Sequence, residues 1–211
     1  MRPYSNHQAK FFATQLTLRQ PANSIDKLSQ AIASARVDLN THQVDAALFA
    51  VRSPLSKGVI LADEVGLGKT IEAGIVISQK WAERKRRLLI IAPATLRKQW
   101  QQELMDKFSI PSTILENGSY KQLKQEGKLA NGDTLLICSY NFAANKADVL
   151  EDIAWDLVVI DEAHRLRNVY KTSSKMAAAI AEVVAEAPKL LLTATPLQNS
   201  LLELYGFVSI I

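Results

Sequence analysis

Two short segments carry residues whose types and spacing suit phosphate and metal chemistry. In the first, Gly66 and Gly68 stand just before Lys69 and Thr70, at the end of an apolar run. Glycines let backbone N–H groups turn inward around phosphate oxygens with no side chain in the way. A helix that begins near Lys69 would add unpaired N–H groups and the positive end of its dipole. This segment therefore predicts a phosphate site.

The lysine and threonine have different expected roles. The Lys69 ammonium would neutralise the β- and γ-phosphates of ATP, and the Thr70 hydroxyl would ligate Mg²⁺. The usual pattern has glycine six residues before the lysine, where this sequence has Asp63. The alternative is a glycine turn that only joins a strand to a helix. Because a Gly-x-Gly-Lys-Thr match arises by chance on the order of once per 10⁵ positions, we favour phosphate binding.

The second segment is a pair of carboxylates, Asp161 and Glu162, after the apolar run Leu157–Ile160. Ligands of open α/β sheets bind beyond the carboxyl ends of the strands, so both acids should face the crevice that holds Lys69. Asp161 would hold the Mg²⁺ shell, and Glu162 would orient and deprotonate the attacking water. Taken alone, an Asp-Glu pair after a strand is more often the acidic start of a helix. Its order after a phosphate loop favours catalysis.

The elements that must position these residues follow from the hydrophobic pattern. Apolar runs without alternation are typical of strands buried on both faces. Five such runs occur: Gly58–Ala62, Leu88–Ala92, Leu135–Cys138, Leu157–Ile160 and Leu190–Leu192. Helical patterns lie between most of them, and two further helices, Ile25–Ala35 and Asn40–Ser53, are expected before the first strand. This alternation predicts an α/β domain with a mostly parallel central sheet and helices on both faces.

Individual helices are also predicted by residue spacing. Apolar residues at four-residue intervals from Leu96 to Phe108 indicate a helix after the second run. Trp100 falls on its apolar stripe, which favours a core position over a base-stacking platform. A similar pattern from Met176 to Val184 precedes the fifth run. The polar stretch Glu116–Asp133 is expected to combine a short surface helix with loops.

The composition is that of a globular protein, with 48% hydrophobic and 22% charged residues in a chain of 211. A net charge of +4 is compatible with a polyanionic partner without establishing one. The basic run Arg84–Arg87 is interpreted as the solvated end of a helix, with a phosphate contact as the alternative. The single cysteine, Cys138, should be a core residue, and no structural zinc site is expected. Without a signal peptide or an apolar stretch of about 20 residues, we expect a soluble intracellular protein.

Together these motifs resemble those of superfamily-two helicase ATPases, and among them most closely the Swi/Snf-like family, in its bacterial spelling. The segments that carry the resemblance are Ala62–Gly74, Glu162–Asn168 followed by Ser174 and Lys175, and Thr195–Leu204. They follow the family's order from about His42 to the end of the chain. The resemblance implies a RecA-like P-loop NTPase domain over residues 41–211, with residues 1–40 as an N-terminal extension. It also implies a second RecA-like lobe, with ATP bound between the two lobes. We expect that second lobe to be absent from this chain.

The resemblance also implies roles in nucleotide binding. Gln43 resembles an adenine-reading glutamine, with a polar residue on an amphipathic helix as an equal alternative. His164 is either a solvent-side histidine or a link between the nucleotide and the rest of the machine, and its Asp-Glu-Ala-His context favours the link. The expected nucleotide-binding set is Gln43, Asp63, Glu64, Gly66, Gly68, Lys69, Thr70 and His164.

A second implied set would contact nucleic acid or relay the nucleotide state. Thr95 and nearby N–H groups would bind DNA phosphates, which fixes position without reading sequence. Arg165 and Lys175 would extend the DNA track, although a solvated basic surface explains them nearly as well. Thr193 and Thr195 would relay the nucleotide state to the nucleic-acid path.

These features lead us to expect the ATP-binding lobe of an ATP-driven translocase on double-stranded DNA. This translocase would remodel protein–DNA complexes and would use ATP and Mg²⁺ as cofactors. Two alternatives stay open: the motor subunit of a restriction or phage-defence system, and a nucleotide-gated interaction module without useful turnover. The expected partners are duplex DNA, the second lobe and a nucleic-acid-bound complex, in a bacterial cytoplasm near the nucleoid, with no membrane.

The apolar end Leu201–Ile211 favours a truncated chain over a docked terminal helix. Because the family supplies a cationic finger from the second lobe, this lobe alone should hydrolyse ATP weakly.

Overall fold

The structure, a computed structural model, describes residues 40–52, 57–62, 68–166, 174–194, 205–206 and 209–211. The helices are α1 (Thr41–Arg52), α2 (Lys69–Ala82), α3 (Arg97–Phe108), α4 (Asn117–Gln125), α5 (Tyr140–Asn145), α6 (Ala147–Leu150) and α7 (Lys175–Val184). The strands are β1 (Gly58–Leu61), β2 (Leu88–Ala92), β3 (Ser112–Ile114), β4 (Leu135–Ser139), β5 (Leu157–Asp161) and β6 (Lys189–Leu192). A short 3₁₀ helix, Ala163–Leu166, follows β5.

The six strands form one sheet in the order β1-β6-β5-β2-β4-β3, and every pairing in it is parallel. The carboxyl ends of all six strands therefore meet at one edge. The end of β1, which leads toward the glycine segment, is separated from the end of β5 only by β6. The α/β class with a parallel central sheet is thus confirmed. Its strand order brings the segment of Lys69 and Thr70 close to the carboxylates Asp161 and Glu162.

Except in the edge strand β3, successive residues of each strand pack into two separate hydrophobic cores, one on each face of the sheet. In β2, Leu88 and Ile90 belong to the first core, which lies under α1, α2 and α3. Leu89 and Ile91 belong to the second core, which lies under α5, α6 and α7. All four side chains are at most 2% exposed. This double burial explains why the strands read as unbroken apolar runs, and it confirms helices on both faces.

Most of the predicted elements are present, and one strand was missed. The predicted helix Asn40–Ser53 is α1, and α4 is the expected surface helix within Glu116–Asp133. The edge strand β3 was not predicted, because its three residues are only partly buried and two of them are polar. The predicted helix Ile25–Ala35 lies outside the described residues.

The basic run Arg84–Arg87 lies in the turn just after α2 rather than inside its last turn. Arg84 adopts a left-handed conformation with φ of 62°, and the Arg86 guanidinium lies 4.7 Å from the ring centroid of Trp81. Arg87 lies 3.6 Å from the Asp156 carboxylate. The cations therefore follow the helix C-terminus, where the dipole favours them.

Cys138 and Ile210 are both buried in the same hydrophobic core. Cys138 is fully buried, and burial raises its thiol pKa to about 12, as a core cysteine requires. Ile210 is buried in the second core, and its carbonyl accepts a hydrogen bond of 2.9 Å from the buried Lys189 Nζ. At this residue the apolar end of the chain packs against the sheet. Among the described helices, none is both long and apolar enough to cross a bilayer.

The close approach of α2 and α3 depends on Gly74. A Cβ at this position would overlap the ring of Phe108, which is partly buried against the same core. We expect Gly74→Ala to lower the free energy of unfolding by about 1–2 kcal/mol, because overpacking outweighs the gain in helix propensity. Chemical denaturation measures this change.

Gly118 in α4 supplies the matched control, since nothing lies within 4 Å of a Cβ built there. Gly118→Ala should leave the stability unchanged or raise it by up to about 1 kcal/mol. Adding Phe108→Leu to Gly74→Ala should recover part of the loss. Equal effects of the two alanine substitutions would contradict the packing argument.

Candidate nucleotide and magnesium site

The start of α2 is formed by a glycine in a conformation that other residues rarely adopt. Gly68 has φ of 93°, and its carbonyl accepts the first helical hydrogen bonds, from the N–H groups of Ile71 and Glu72. A Cβ on Gly68 would overlap the side-chain nitrogen of Gln43. The helix therefore begins at Lys69, as predicted, and its N-terminus lies next to α1.

Lys69 and the acid pair line the same cleft. Gly68, Lys69 and Thr70 form one side of it, and Asp161 and Glu162 at the end of β5 form another, with α3 completing the wall. The cleft has a volume of about 360 Å³ and opens to solvent. That volume falls within the range typical of small-molecule sites. The geometric condition set by the sequence, that these residues converge, is met.

A smaller recess within this region suits a hydrated cation. Thr70, Trp100 and Asp161 are among the residues that line it, and its volume is about 50 Å³. Mg²⁺ bound with a nucleotide takes one or two protein oxygens, together with phosphate oxygens and water. A hydroxyl and a carboxylate supply that set. Within the described residues no group of three His, Cys, Asp or Glu side chains could hold a metal by itself.

The Asp161 carboxylate is largely buried and is held by two N–H donors. Its Oδ2 accepts a hydrogen bond of 2.8 Å from the indole N–H of Trp100, and its Oδ1 accepts one of 2.9 Å from the backbone N–H of Glu162. Burial raises the pKa of Asp161, and the charge of Glu162 adds to this rise. The Trp100 hydrogen bond and the Lys69 charge act in the opposite direction but do not outweigh burial.

Glu162 adopts a left-handed backbone conformation, with φ of 54°, that is uncommon for a residue with a side chain. The Tyr140 hydroxyl lies 2.6 Å from the Asp161 carbonyl and 3.1 Å from that of Glu162, and it donates to them. The Nδ1 of His164 lies 3.1 Å from Glu162 Oε2, at ion-pair distance but without hydrogen-bond alignment. His164 therefore contacts the acid pair rather than standing apart in solvent.

The other residues assigned to nucleotide binding are only partly described. Gln43 is buried, and its Oε1 accepts a hydrogen bond of 3.2 Å from the backbone N–H of Asn40. Its position against Gly68 places it beside the N-terminus of α2. Asp63, Glu64 and Gly66 lie outside the described residues.

The three residues expected to contact DNA are exposed, whereas Thr193, which was expected to relay the nucleotide state, is buried. Thr95 is exposed in the turn between β2 and α3, and Lys175 is exposed at the start of α7. Arg165 is exposed, with its guanidinium 5.7 Å from the ring centroid of Tyr140. Thr193 is fully buried, and its N–H donates to the Leu61 carbonyl, which ties the end of β6 to the end of β1. Thr195 lies outside the described residues.

Sequence reasoning missed the contacts that Trp100 and Tyr140 make with the acid pair. The apolar stripe correctly placed Trp100 in the core, where it is 2% exposed. Nothing in the stripe showed where the indole N–H would point, because that depends on β2 and β5 being neighbours in the sheet.

Comparison with known proteins identifies the family of this domain. Residues 7–211 match the SNF2-related domain family. The chain belongs to this family. The SNF2-related domain is similar to part of the RNA polymerase-associated protein RapA from Serratia proteamaculans, at 39% identity over 169 residues, and from Yersinia pseudotuberculosis, at 37%. Each alignment covers 77% of this chain, and the chain spans 17% of the length of these relatives.

A solved structure supports the fold. The SNF2-related domain resembles the Sulfolobus solfataricus SWI2/SNF2 ATPase core in complex with dsDNA, with a TM-score of 0.69 and 23% sequence identity. The match covers 84% of this chain and 36% of that one.

Gly68→Ala should disrupt the site on two counts, the left-handed backbone and the overlap with Gln43. We expect ATP affinity to fall about tenfold or more, because a left-handed non-glycine residue costs roughly 1–2 kcal/mol and the loop must move to relieve it. Equilibrium titration with a fluorescent nucleotide measures this affinity.

Gly127→Ala is the control, since Gly127 also has a positive φ, of 66°, but lies in open space. It should lose stability and keep nucleotide affinity; a similar loss of affinity in both variants would contradict the assignment.

The raised pKa of Asp161 makes a linkage prediction for the metal-free protein. Because the folded-state pKa lies above the unfolded one, the unfolded state loses its proton first as pH rises. The stability that protonated Asp161 contributes is therefore full at low pH and is lost as pH rises through the folded pKa. We expect the free energy of unfolding of the wild type, minus that of Asp161→Asn, to decrease from acidic to neutral pH. A difference that increases over this range would mean that the carboxylate is stabilised, not penalised, by its surroundings.

Proposed function

We propose that this chain is the ATP-binding lobe of a DNA-dependent ATPase that moves along duplex DNA and remodels protein–DNA complexes. The observation that supports it is the shared cleft of Lys69 and the pair Asp161 and Glu162, in a domain of the SNF2-related family. A cation, a hydroxyl and two carboxylates around one cleft are the groups that one lobe would contribute to phosphoryl transfer from a Mg²⁺-bound triphosphate.

In this proposal each side chain of the cleft has one task. Gly68 and the N-terminus of α2 cradle the phosphates, and Lys69 neutralises their charge. Thr70 and Asp161 hold Mg²⁺, which when bound offsets the negative charge that develops on the phosphoryl oxygens. Glu162 orients the attacking water and accepts its proton. His164, whose Nδ1 lies 3.1 Å from Glu162 Oε2, links the nucleotide site to the rest of the protein.

The contacts proposed for DNA share one edge of the sheet. Thr95 follows β2 and Arg165 follows β5, and these two strands are neighbours. Helix α7 returns toward the start of β6, so its first residue, Lys175, lies at the carboxyl edge as well. Two exposed cations and an exposed hydroxyl suit a phosphate backbone. The RapA relatives are RNA polymerase-associated proteins, and the Sulfolobus solfataricus ATPase core is in complex with dsDNA. Both facts support duplex DNA and a nucleic-acid-bound complex as partners.

Turnover by the full-length protein, measured with and without duplex DNA, tests the proposal. DNA should raise the rate of ATP hydrolysis, and Glu162→Gln should lower the stimulated rate by about 10²–10⁴-fold, the usual contribution of a general base. Nucleotide binding should persist in this variant, because Glu162 is not assigned to hold the phosphates.

Glu186→Gln is the matched control, since Glu186 forms an exposed ion pair with Lys57 at the opposite edge of the sheet. It should leave turnover unchanged. ATP binding without DNA stimulation would contradict the motor and favour a nucleotide-gated module. Full activity of Glu162→Gln would contradict its role as the base.

A further inference from the structure

The indole of Trp100 is oriented toward the acid pair from the second turn of α3. Its N–H donates to Asp161 Oδ2 at 2.8 Å, across 61 positions of sequence, while the rest of the ring is buried in the first core. With 2% exposure, the indole has no freedom to turn toward solvent. A tryptophan N–H buried in this way needs an acceptor, and here the acceptor is a carboxylate rather than a backbone carbonyl.

The contact fixes how the carboxylate is turned. A carboxylate rotates readily about its last torsion, so an unsupported Asp161 would sample several orientations. Trp100 engages one oxygen and the Glu162 N–H engages the other, which together define the plane of the group. Each oxygen keeps a further lone pair for a cation or its water. Trp100 also lines the 50 Å³ recess together with Thr70, so the donor lies at the wall of the proposed cation site.

We propose that Trp100 is a positioning residue that orients the Asp161 carboxylate for Mg²⁺. The assignment of the cation to Thr70 and Asp161 rests on the proposed function; the contribution of Trp100 is the new step. Outer partners that orient a metal-binding side chain typically contribute 10–100-fold to metal affinity. An indole is suited to this task because it offers a single donor on a rigid, buried frame.

A second buried tryptophan separates this role from packing alone. Trp155 is 6% exposed in the other core, and its indole N–H donates to the Leu150 carbonyl at 2.8 Å. It therefore matches Trp100 in residue type, burial and hydrogen bonding, but it contacts a backbone group remote from the cleft. A substitution at Trp155 reports what losing a buried indole does to stability.

The experiment is a Mg²⁺ titration of ADP binding by the full-length protein, with Trp100→Phe compared with Trp155→Phe. We expect the Mg²⁺ midpoint to rise about tenfold in Trp100→Phe, at the lower end of the range for such partners. Nucleotide affinity measured without Mg²⁺ should change little in either variant, and the midpoint in Trp155→Phe should match the wild type. Equal midpoints in all three proteins, or a lower midpoint in Trp100→Phe, would overturn the proposal.

A double-mutant cycle tests whether Trp100 acts through Asp161. In the Asp161→Asn background, Trp100→Phe should add no further change to the Mg²⁺ dependence. The same added change in both backgrounds would show a general structural effect and overturn the proposal. Absence of any Mg²⁺ dependence in the wild type would instead contradict the cation site itself, and with it the proposed function.

A spectroscopic measurement covers the case in which Trp100→Phe does not fold. Ultraviolet resonance Raman spectra report the strength of indole N–H hydrogen bonds. Mg²⁺ added to the ADP-bound protein should draw charge from Asp161 and weaken the bond from Trp100, which gives a difference signal. That signal should persist in Trp155→Phe and disappear in Asp161→Asn. Its absence in the wild type would contradict the proposal.

Discussion

Burial of the Asp161 carboxylate at the end of β5 is the constraint on which the rest of the site depends. The four residues before it are buried between two cores, so the strand ends in a carboxylate that is itself largely removed from solvent. A carboxylate in such a place is costly unless donors surround it. The N–H groups of Trp100 and Glu162 and the charge of Lys69 supply partial compensation, yet the pKa stays raised. The negative charge of ionised Asp161 is therefore only partly compensated, and a cation in the adjacent recess would stabilise it.

The sequence predicted the class of fold because double burial leaves a direct record in composition. Runs such as Leu88–Ala92 and Leu157–Ile160 contain no polar residue, and only strands covered on both faces are built that way. The edge strand β3 has no such apolar run, because Ser112 and Thr113 are polar and only partly buried, and the strand has one neighbour. The strand order could not be predicted from the sequence either, since hydrophobic patterning does not specify which strands pair.

The sequence predicted the positions of residues that are adjacent in the chain, but not the contacts that depend on tertiary structure. Lys69 and Thr70 are adjacent residues at a helix start, so the sequence alone predicted that they lie together at one site. Trp100 and Tyr140 meet the acid pair from 61 and 21 positions away, and only the neighbouring positions of β2, β4 and β5 bring them there. Gln43 illustrates the same limit. Its side chain lies so close to Gly68 that a Cβ on the glycine would overlap it, but no sequence pattern in α1 predicted this contact.

The conformation of Glu162 solves a geometric problem that the acid pair creates. Adjacent residues of a strand point to opposite faces, so Asp161 and Glu162 would diverge if β5 continued. The left-handed φ of 54° at Glu162 breaks that alternation, at a cost of roughly 1–3 kcal/mol. The Tyr140 hydroxyl holds the turn through both carbonyls, and burial raises the Tyr140 pKa well above its ordinary value, which keeps the hydroxyl protonated as a donor. Because the strain is supported in this way, two neighbouring carboxylates line one cleft in different surroundings, one buried beside the recess and the other more exposed and next to His164.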